Sequence, residues 1–291
     1  MHGYLALVLA AFFFGITFLF QRHAASFVGI NPIDLALYFA FMRSVIGGLV
    51  LAYLFIREKD KNIKNKTNLW AVLSGIFFFF AMIFQQYGIS FTTVGKSGFL
   101  TGVYVILVPI FGLFLGERHS KNLWLAVFLA FLGLSCFAEI KGSELLAWNF
   151  GDSLTLCCAF FWAWQVIIMG IGVKKISLTS FVFIQIITVI NLCLIGLLFR
   201  GNFLSLMTNL ELLKHSYIDI LFAGIFSSCI AFSLQGLGQK TVPSSHTAVI
   251  ISSEAIFALI FGFIFFNEAI SLLMLLGCSL LFTAIILAQF N

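Results

Sequence analysis

Ten apolar stretches, each close to the length of a membrane-crossing helix, follow one another along this 291-residue chain with little between them. They run roughly over 4–20, 34–56, 69–87, 96–115, 122–138, 152–171, 178–199, 217–236, 246–266 and 271–289. About 20 apolar residues carry a helix across ~30 Å of hydrocarbon. A soluble domain carries about a quarter charged residues. This chain has 9% charged against 62% hydrophobic, too little polarity to clothe a water-facing surface. Lipid offers no partner to backbone N–H and C=O groups, so the stretches are expected as helices; a barrel would show alternating segments of about ten residues. The fold class expected is therefore an all-α integral membrane protein, with ten transmembrane helices in one compact bundle. Three prolines and no long Ser/Gly tract leave no room for a linker. No Lys or Arg precedes the first stretch, so it reads as a retained span and not a cleaved signal.

In a membrane chain the net charge of +5 sets orientation and gives no reason to expect a nucleic-acid partner. Starting with the N-terminus inside, ten Lys and Arg fall on inward loops and five on the outward side. Arg43 is left within a span. Both termini are thus expected in the cytoplasm. The six cysteines lie in apolar runs without zinc-ligand spacing to histidine, so they read as small buried hydrophobes.

One stretch is echoed. Gly88 to Lys121 reads GISFTTVGKSGFLTGVYVILVPIFGLFLGERHSK, and it returns in altered form as Gly238 to Ser271, GQKTVPSSHTAVIISSEAIFALIFGFIFFNEAIS. Both copies begin small and polar, run into an apolar helix and close on (Gly/Asn)-Glu. The echo implies two homologous halves, 1–146 and 147–291, of five spans each. Five is odd, so the second half should sit upside down relative to the first. Inverted repeats are a construction that secondary transporters use for alternating access, with the site near the midplane between them.

At these residues the chain resembles the EamA family of the drug/metabolite transporter superfamily. The resemblance covers essentially the whole chain. It is strongest over QYGISFTTVGKSGFLTGVYVILVPIFGLFLGER, from Gln86 to Arg118. AFSLQGLGQKTVPSSHTAVIISSEAIFALIFGFIFFNEAIS looks like the family's second-repeat counterpart, with Glu254 where the family has its Glu and Ala255 in place of the usual proline. Phe14-Gly15 stands where many members have Trp-Gly, Arg43 in FMRSVIGG matches a family arginine, and GDSLTLCCAFFWAWQVI fits the sixth span. The resemblance implies ten helices, cytoplasmic termini, a cell membrane (a bacterial inner membrane) and transport of small metabolites, export being the commoner direction. It fixes no substrate.

Glu254 lies mid-span, where a carboxylate is costly unless protonated, paired or facing water. It is a candidate contact for a substrate amine or a coupling proton; its bland reading is a hydrogen bond to a neighbouring helix. Trp164, Gln165, Gln235, Gln85 and Tyr104 are candidates for lining a site that takes a neutral or zwitterionic metabolite, against plain interhelical bonding; Gln239 reads as such bonding. Arg43 could hold a substrate carboxylate, but Ser44, Gly47 and Gly48 beside it favour a structural intramembrane charge at a close helix contact. Lys96 is read either as snorkelling to the interface or as a charge at a cavity mouth. Gly98 and Gly102 form a GxxxG, and with Pro109 they mark a helix suited to close packing and to a gating bend. The phenylalanine runs, Phe77 to Phe80 among them, read as lipid-facing bulk.

The function expected is a secondary transporter moving small metabolites, amino acids or similar amphipathic compounds among them, by alternating access. It would work with a small-molecule substrate and the lipid bilayer, with a proton as candidate coupling ion. A homodimer is compatible with it. No phosphate-binding loop occurs, which leaves no ATPase domain, and no cofactor is called for. The alternatives are an integral-membrane enzyme acting on lipids and a channel. The enzyme lacks a cluster of His, Asp or Cys at a membrane face, and the channel lacks charged rings or filter carbonyls.

Overall fold

The computed structural model describes residues 2–57, 65–92, 94–137, 148–266 and 270–289, with only the helical backbone given at 65–68, 94–96, 137, 262 and 266. The described residues form helices joined by short turns. In order these are α1 (His2–Ala25), α2 (Pro32–Arg57), α3 (Asn65–Gly88), α4 (Val94–Gly102), α5 (Tyr104–Phe114), α6 (Lys121–Phe137), α7 (Phe150–Gly172), α8 (Leu178–Phe199), α9 (Phe203–Met207), α10 (Leu210–Phe222), a π-helix (Ala223–Ala231), α11 (Phe232–Gln239), α12 (Ser244–Ile251), α13 (Glu254–Phe266) and α14 (Leu272–Leu287).

Eight segments are long and apolar enough to cross a membrane. Two of them are broken helices, α4–α5 and α12–α13, and one is the continuous run from Leu210 to Gln239. The two remaining apolar segments, Lys121–Cys136 and Leu272–Leu287, are shorter helices. Polar caps mark where apolar runs begin. Asn149 and Asp152 exchange side chain for backbone in a capping box before α7, and Ser177, Asn209 and Ser271 each accept from the backbone N–H three residues on.

End contacts define two faces. On the near face, Gly3 packs against Val242 and the Gly238 carbonyl, and Gly170 packs against Ser244 and Gln239. On the far face, Gly88 meets Gly151 and Thr155, Gln86 donates to the Gln21 carbonyl, and Asp34 accepts from Arg200 and Asn202. The α2–α8 contact runs from that far-face pair, through Leu37 on Gly196, to Gly48 against Ile186 and Ile190. Those two helices are therefore antiparallel. α6 packs on α14, with Gly133 late in α6 seated on Gly277 and Leu281 near the middle of α14.

Two apolar clusters hold the bundle. One gathers α2, α3, α8 and the π-helix around Phe39, Phe78 and Phe181; the other gathers α1, α5, α6, α12 and α14 around Leu7, Val108 and Leu281. Each draws on both sequence halves. Phe14 and Trp162 pack against both, so the seam between the clusters passes through them. The described cysteines are free, with Cys158, Cys193 and Cys229 buried.

Candidate functional site

A cavity with about 60 Å³ open to the centres of water-sized molecules lies on that seam. α1 contributes Phe14, Thr17, Phe18 and Gln21; α2 contributes Arg43; α3 contributes Phe78, Met82 and Gln85. Thr101 and Tyr104 come from α4 and α5, Trp162, Gln165 and Val166 from α7, and Ser227, Phe232 and Gln235 from the π-helix and α11. Ile251 and Glu254 complete it from α12 and α13.

Irregular backbone surrounds this space. The helical ladder tightens at Val103, whose N–H bonds Leu100 O three residues back at 3.3 Å, and again at Ser253, whose N–H bonds Ile250 O at 3.1 Å. Ser252 and Ser253 donate their hydroxyls to Val249 O and Ile250 O, each at 2.7 Å, which supports the second tightening. Tyr104 and Glu254 are the first residues of the helices that resume. Glu254 thus sits in the first turn of α13. In a membrane such backbone is tolerated where it lines a cavity or is buried in protein. The π-helix, a form frequent at functional sites, carries Ser227 and Ser228. Gly47 and Gly224 let α2 approach it closely: a Cβ on Gly47 would lie 2.7 Å from the Gly224 carbonyl oxygen.

That approach fixes the cavity's cation. Arg43 is 2% exposed; its Nη2 donates to Ser227 Oγ at 2.6 Å, and its Nε donates to Ser228 Oγ at 3.1 Å. Phe39 lies under the guanidinium, 5.8 Å from ring centroid to Cζ. No carboxylate pairs with it among the described residues. Glu254 likewise has no ion pair there. The Tyr104 hydroxyl is buried and makes no hydrogen bond among the described residues. Amides finish the polar lining. Gln235 Nε2 donates to Gln165 Oε1 at 3.3 Å, and Gln85 Nε2 reaches Thr101 Oγ1 at 3.5 Å. Gln239 lies behind the wall and donates to Val166 O at 2.8 Å.

The lining repeats itself. Met82 and Phe232, Gln85 and Gln235, Thr101 and Ile251, and Tyr104 and Glu254 stand 150 residues apart. Phe14 and Trp162, Thr17 and Gln165, and Phe18 and Val166 stand 148 apart. Gln21, Arg43, Phe78 and Ser227 are left without a partner of this kind.

A second cavity, with about 280 Å³ open to the centres of water-sized molecules, shares Phe18, Tyr104 and Glu254 with the first. It reaches Arg22 in the last turn of α1 and Met274 near the start of α14, both towards the far face. Towards the near face the path is filled. All eight residues of α12 are buried, and Gly3, Gly170 and Gly238 are pressed against neighbouring elements there.

The structure brings Glu254, Gln165, Gln235, Tyr104 and Gln85 together around one space. Arg43 joins them as well as bridging helices, so its surroundings exceed the purely structural role expected for it. Trp164 does not join. It stacks on Phe111 at 5.1 Å and meets Phe77 at 6.0 Å, while Trp162 lines the cavity. The reason is helical register: 162, 165 and 166 share a face, and 164 lies on another. Phe78, expected to face lipid with its run, is 1% exposed and lines the cavity. The GxxxG is split in role: a Cβ on Gly102 would meet Leu134 at 2.6 Å, but at Gly98 nothing lies within 4 Å. Pro109 sits inside regular α5, six residues past the interruption at Val103, and its carbonyl accepts from His119 Nε2 at 3.0 Å. Lys96 belongs to α4 by its backbone; its side chain lies outside the described residues, as does Glu268.

Sequence reading missed Thr17, Gln21, Met82, Thr101 and Ser227. For α1 a signal existed: Phe14, Thr17, Phe18 and Gln21 fall at steps of three, one and three, a polar-edged stripe in an apolar helix.

A family model described as EamA-like transporter family matches residues 1–138 and again 149–290. Two relatives from Archaeoglobus fulgidus are each named uncharacterized transporter. One is 28% identical over 216 residues, covering 74% of this chain and 67% of the relative. The other is 25% identical over 250 residues, covering 82% and 81%. A solved crystal structure superposes with a TM-score of 0.76 at 14% identity, covering 99% of this chain and 96% of the other, a likeness of fold.

Proposed function

The chain belongs to the EamA-like transporter family, and we propose that it is a secondary transporter carrying small amphipathic metabolites by alternating access between two inverted five-helix repeats, 1–146 and 147–291. It is a multi-pass membrane protein. The observation that carries the reading is the recurrence of the cavity lining at spacings of 150 and 148 residues. A repeat about a pseudo-two-fold axis through the cavity generates such pairs, and a site near the midplane between repeats is where inverted transporters bind substrate. The antiparallel contact of α2 with α8 supports inversion, because it joins helices in corresponding places of the two halves. On this reading α6 and α14 are the fifth and tenth spans, short ones accommodated by local thinning or by their flanks.

Access on one side supports the mechanism. The path from Glu254 leads to the far face and is closed towards the near face. Alternating access needs the converse state as well, reached by rocking one repeat against the other about the irregular turns at Val103 and Ser252–Ser253. Glu254 would bind the cationic group of a substrate or carry a coupling proton, with Tyr104 and the glutamines Gln85, Gln165 and Gln235 completing the site. The family resemblance favours export.

The test is transport by the purified chain in liposomes, with labelled metabolites and an imposed pH gradient. Saturable, stereoselective movement is expected, and Glu254→Gln should abolish it or uncouple it from the gradient. Equal, equally pH-dependent transport by Glu254→Gln would remove Glu254 from the mechanism. Unsaturable flux would replace the carrier with a channel.

A further inference from the structure

The seven lining pairs make a cage that is nearly two-fold, and what departs from two-fold is charge. Glu254 has Tyr104 at the corresponding place, and Arg43 has no corresponding lining residue at all. The cage therefore has one cation, from the first half, and one anion, from the second.

These two charges line one space without forming an ion pair. Arg43 is 2% exposed and is given only two neutral hydroxyls, although a guanidinium has five N–H donors in a fixed fork. A buried charge left like this is costly, and its cost is met by a planar anion that takes the fork bidentately. Glu254 has the opposite need, and the buried Tyr104 hydroxyl at the corresponding position lacks a hydrogen-bond partner among the described residues. Between them the walls are aromatic and amide. Phe14, Phe78, Trp162 and Phe232 can hold an apolar body, and Gln85 and Gln235 can hold polar atoms without adding charge.

Resting on the transporter reading, we propose that Arg43 is a substrate-binding residue and that the substrate class is a small zwitterion with an apolar side group: its carboxylate, or an equivalent planar anion, sits on Arg43 and its ammonium sits on Glu254. Net charge decides this. A ligand bearing only a cation leaves Arg43 unmatched, and one bearing only an anion leaves Glu254 unmatched; a zwitterion matches both and leaves the net charge of the cage unchanged. The asymmetry also orients the ligand. A cage with true two-fold symmetry would accept it equally well in two directions, whereas one cation and one anion admit a single one.

The experiment uses the wild-type chain, purified and intact, so it does not depend on a variant folding. Thermal unfolding is recorded with matched triplets: phenylalanine, phenethylamine and 3-phenylpropionate, then the corresponding triplets built on leucine and methionine. In at least one triplet the zwitterion should raise the Tm and bind about ten-fold or more tighter than either single-charge analogue, as expected for losing one charge-assisted group. Arg43→Gln should remove the preference for the zwitterion over the amine, and Arg43→Lys should restore part of it. An amine that binds as tightly as its zwitterion overturns the inference. So does an Arg43→Gln protein that keeps the wild-type preference. Silence across all triplets, with wild-type liposomes carrying a neutral or singly charged compound, overturns the zwitterion while the transporter stands; silence together with no saturable transport of any metabolite overturns both.

Discussion

Gly15 is where α1 leans on the backbone of the site, and it offers a quantitative test of how the cavity is held. A Cβ placed on Gly15 would lie 2.5 Å from the Glu254 carbonyl oxygen, 2.7 Å from Phe257 Cβ and 3.0 Å from the Ala258 nitrogen. Ordinary contact starts near 3.4 Å, so in Gly15→Ala either α1 or the Ser252–Ser253 turn must retreat by about 1 Å. Two of the three obstacles are backbone, which cannot rotate aside. Overpacking of this kind costs about 1–3 kcal/mol, and the helix-propensity gain of Ala over Gly returns about 0.5–1 kcal/mol. Gly98→Ala isolates that gain, because a Cβ there meets nothing within 4 Å. The propensity gain is common to both, so the two variants should differ by the overpacking cost, about 1–3 kcal/mol, or roughly 2–12 °C in Tm at a few degrees per kcal/mol. The assay is paired thermal unfolding of both proteins in one detergent. Transport by Gly15→Ala should fall further than its folded fraction does, since the displaced turn carries Glu254. Melting of the two variants within about 2 °C of each other would refute this account of the α1 contact.

Other outcomes follow from the same geometry. Trp162→Ala should lose most transport, whereas Trp164→Ala should keep the substrate affinity of the wild type and lose about 2–4 kcal/mol of stability from its packing on Phe111 and Phe77; saturation curves and melting separate the two. At the far face Asp34 is 3% exposed and accepts from Arg200 and Asn202. Arg200→Gln should destabilise by about 2–3 kcal/mol by stranding a buried carboxylate, and Asp34→Asn by only about 1 kcal/mol because the half-exposed guanidinium returns to water; the reverse order in thermal melts would count against the reading. Ser120→Cys should be modified only from the cytoplasmic side and Asn202→Cys only from the opposite side, in a background cleared of native cysteines. Opposite labelling would invert the orientation drawn from loop charge.

Helices were legible in the sequence because hydropathy reports burial in lipid directly. Each of the ten apolar stretches is mostly helical in its described residues, and eight segments reach spanning length. The interruptions were not legible. A run such as AGIFSSCIA is as apolar wound as a π-helix as it would be as an α-helix, and the choice is made by the approach of Gly47 and by Arg43 reaching two adjacent serines. Pro109 drew attention to this span, and the ladder tightens six residues earlier, at Val103. Glu254, Tyr104 and three glutamines, which stand out because polar atoms in an apolar span need a reason, line one cavity. Phe78 and Trp162 line it too, but an aromatic ring in a span carries no such mark. Only the helical phase relative to Gln165 distinguishes Trp162 from Trp164.

The place shared by Tyr104 and Glu254 has a consequence for how such a protein can change. Were the bundle assembled from two identical chains, every side chain facing the axis would appear twice, and a carboxylate there would meet its own copy. Written as one chain, the two halves can be edited separately. A single replacement, at 104 or at 254, alters the net charge of the site by one while leaving the surrounding pairs intact. On the inverted-repeat reading proposed above, a single chain lets the cargo preference of such a cage drift one charge at a time.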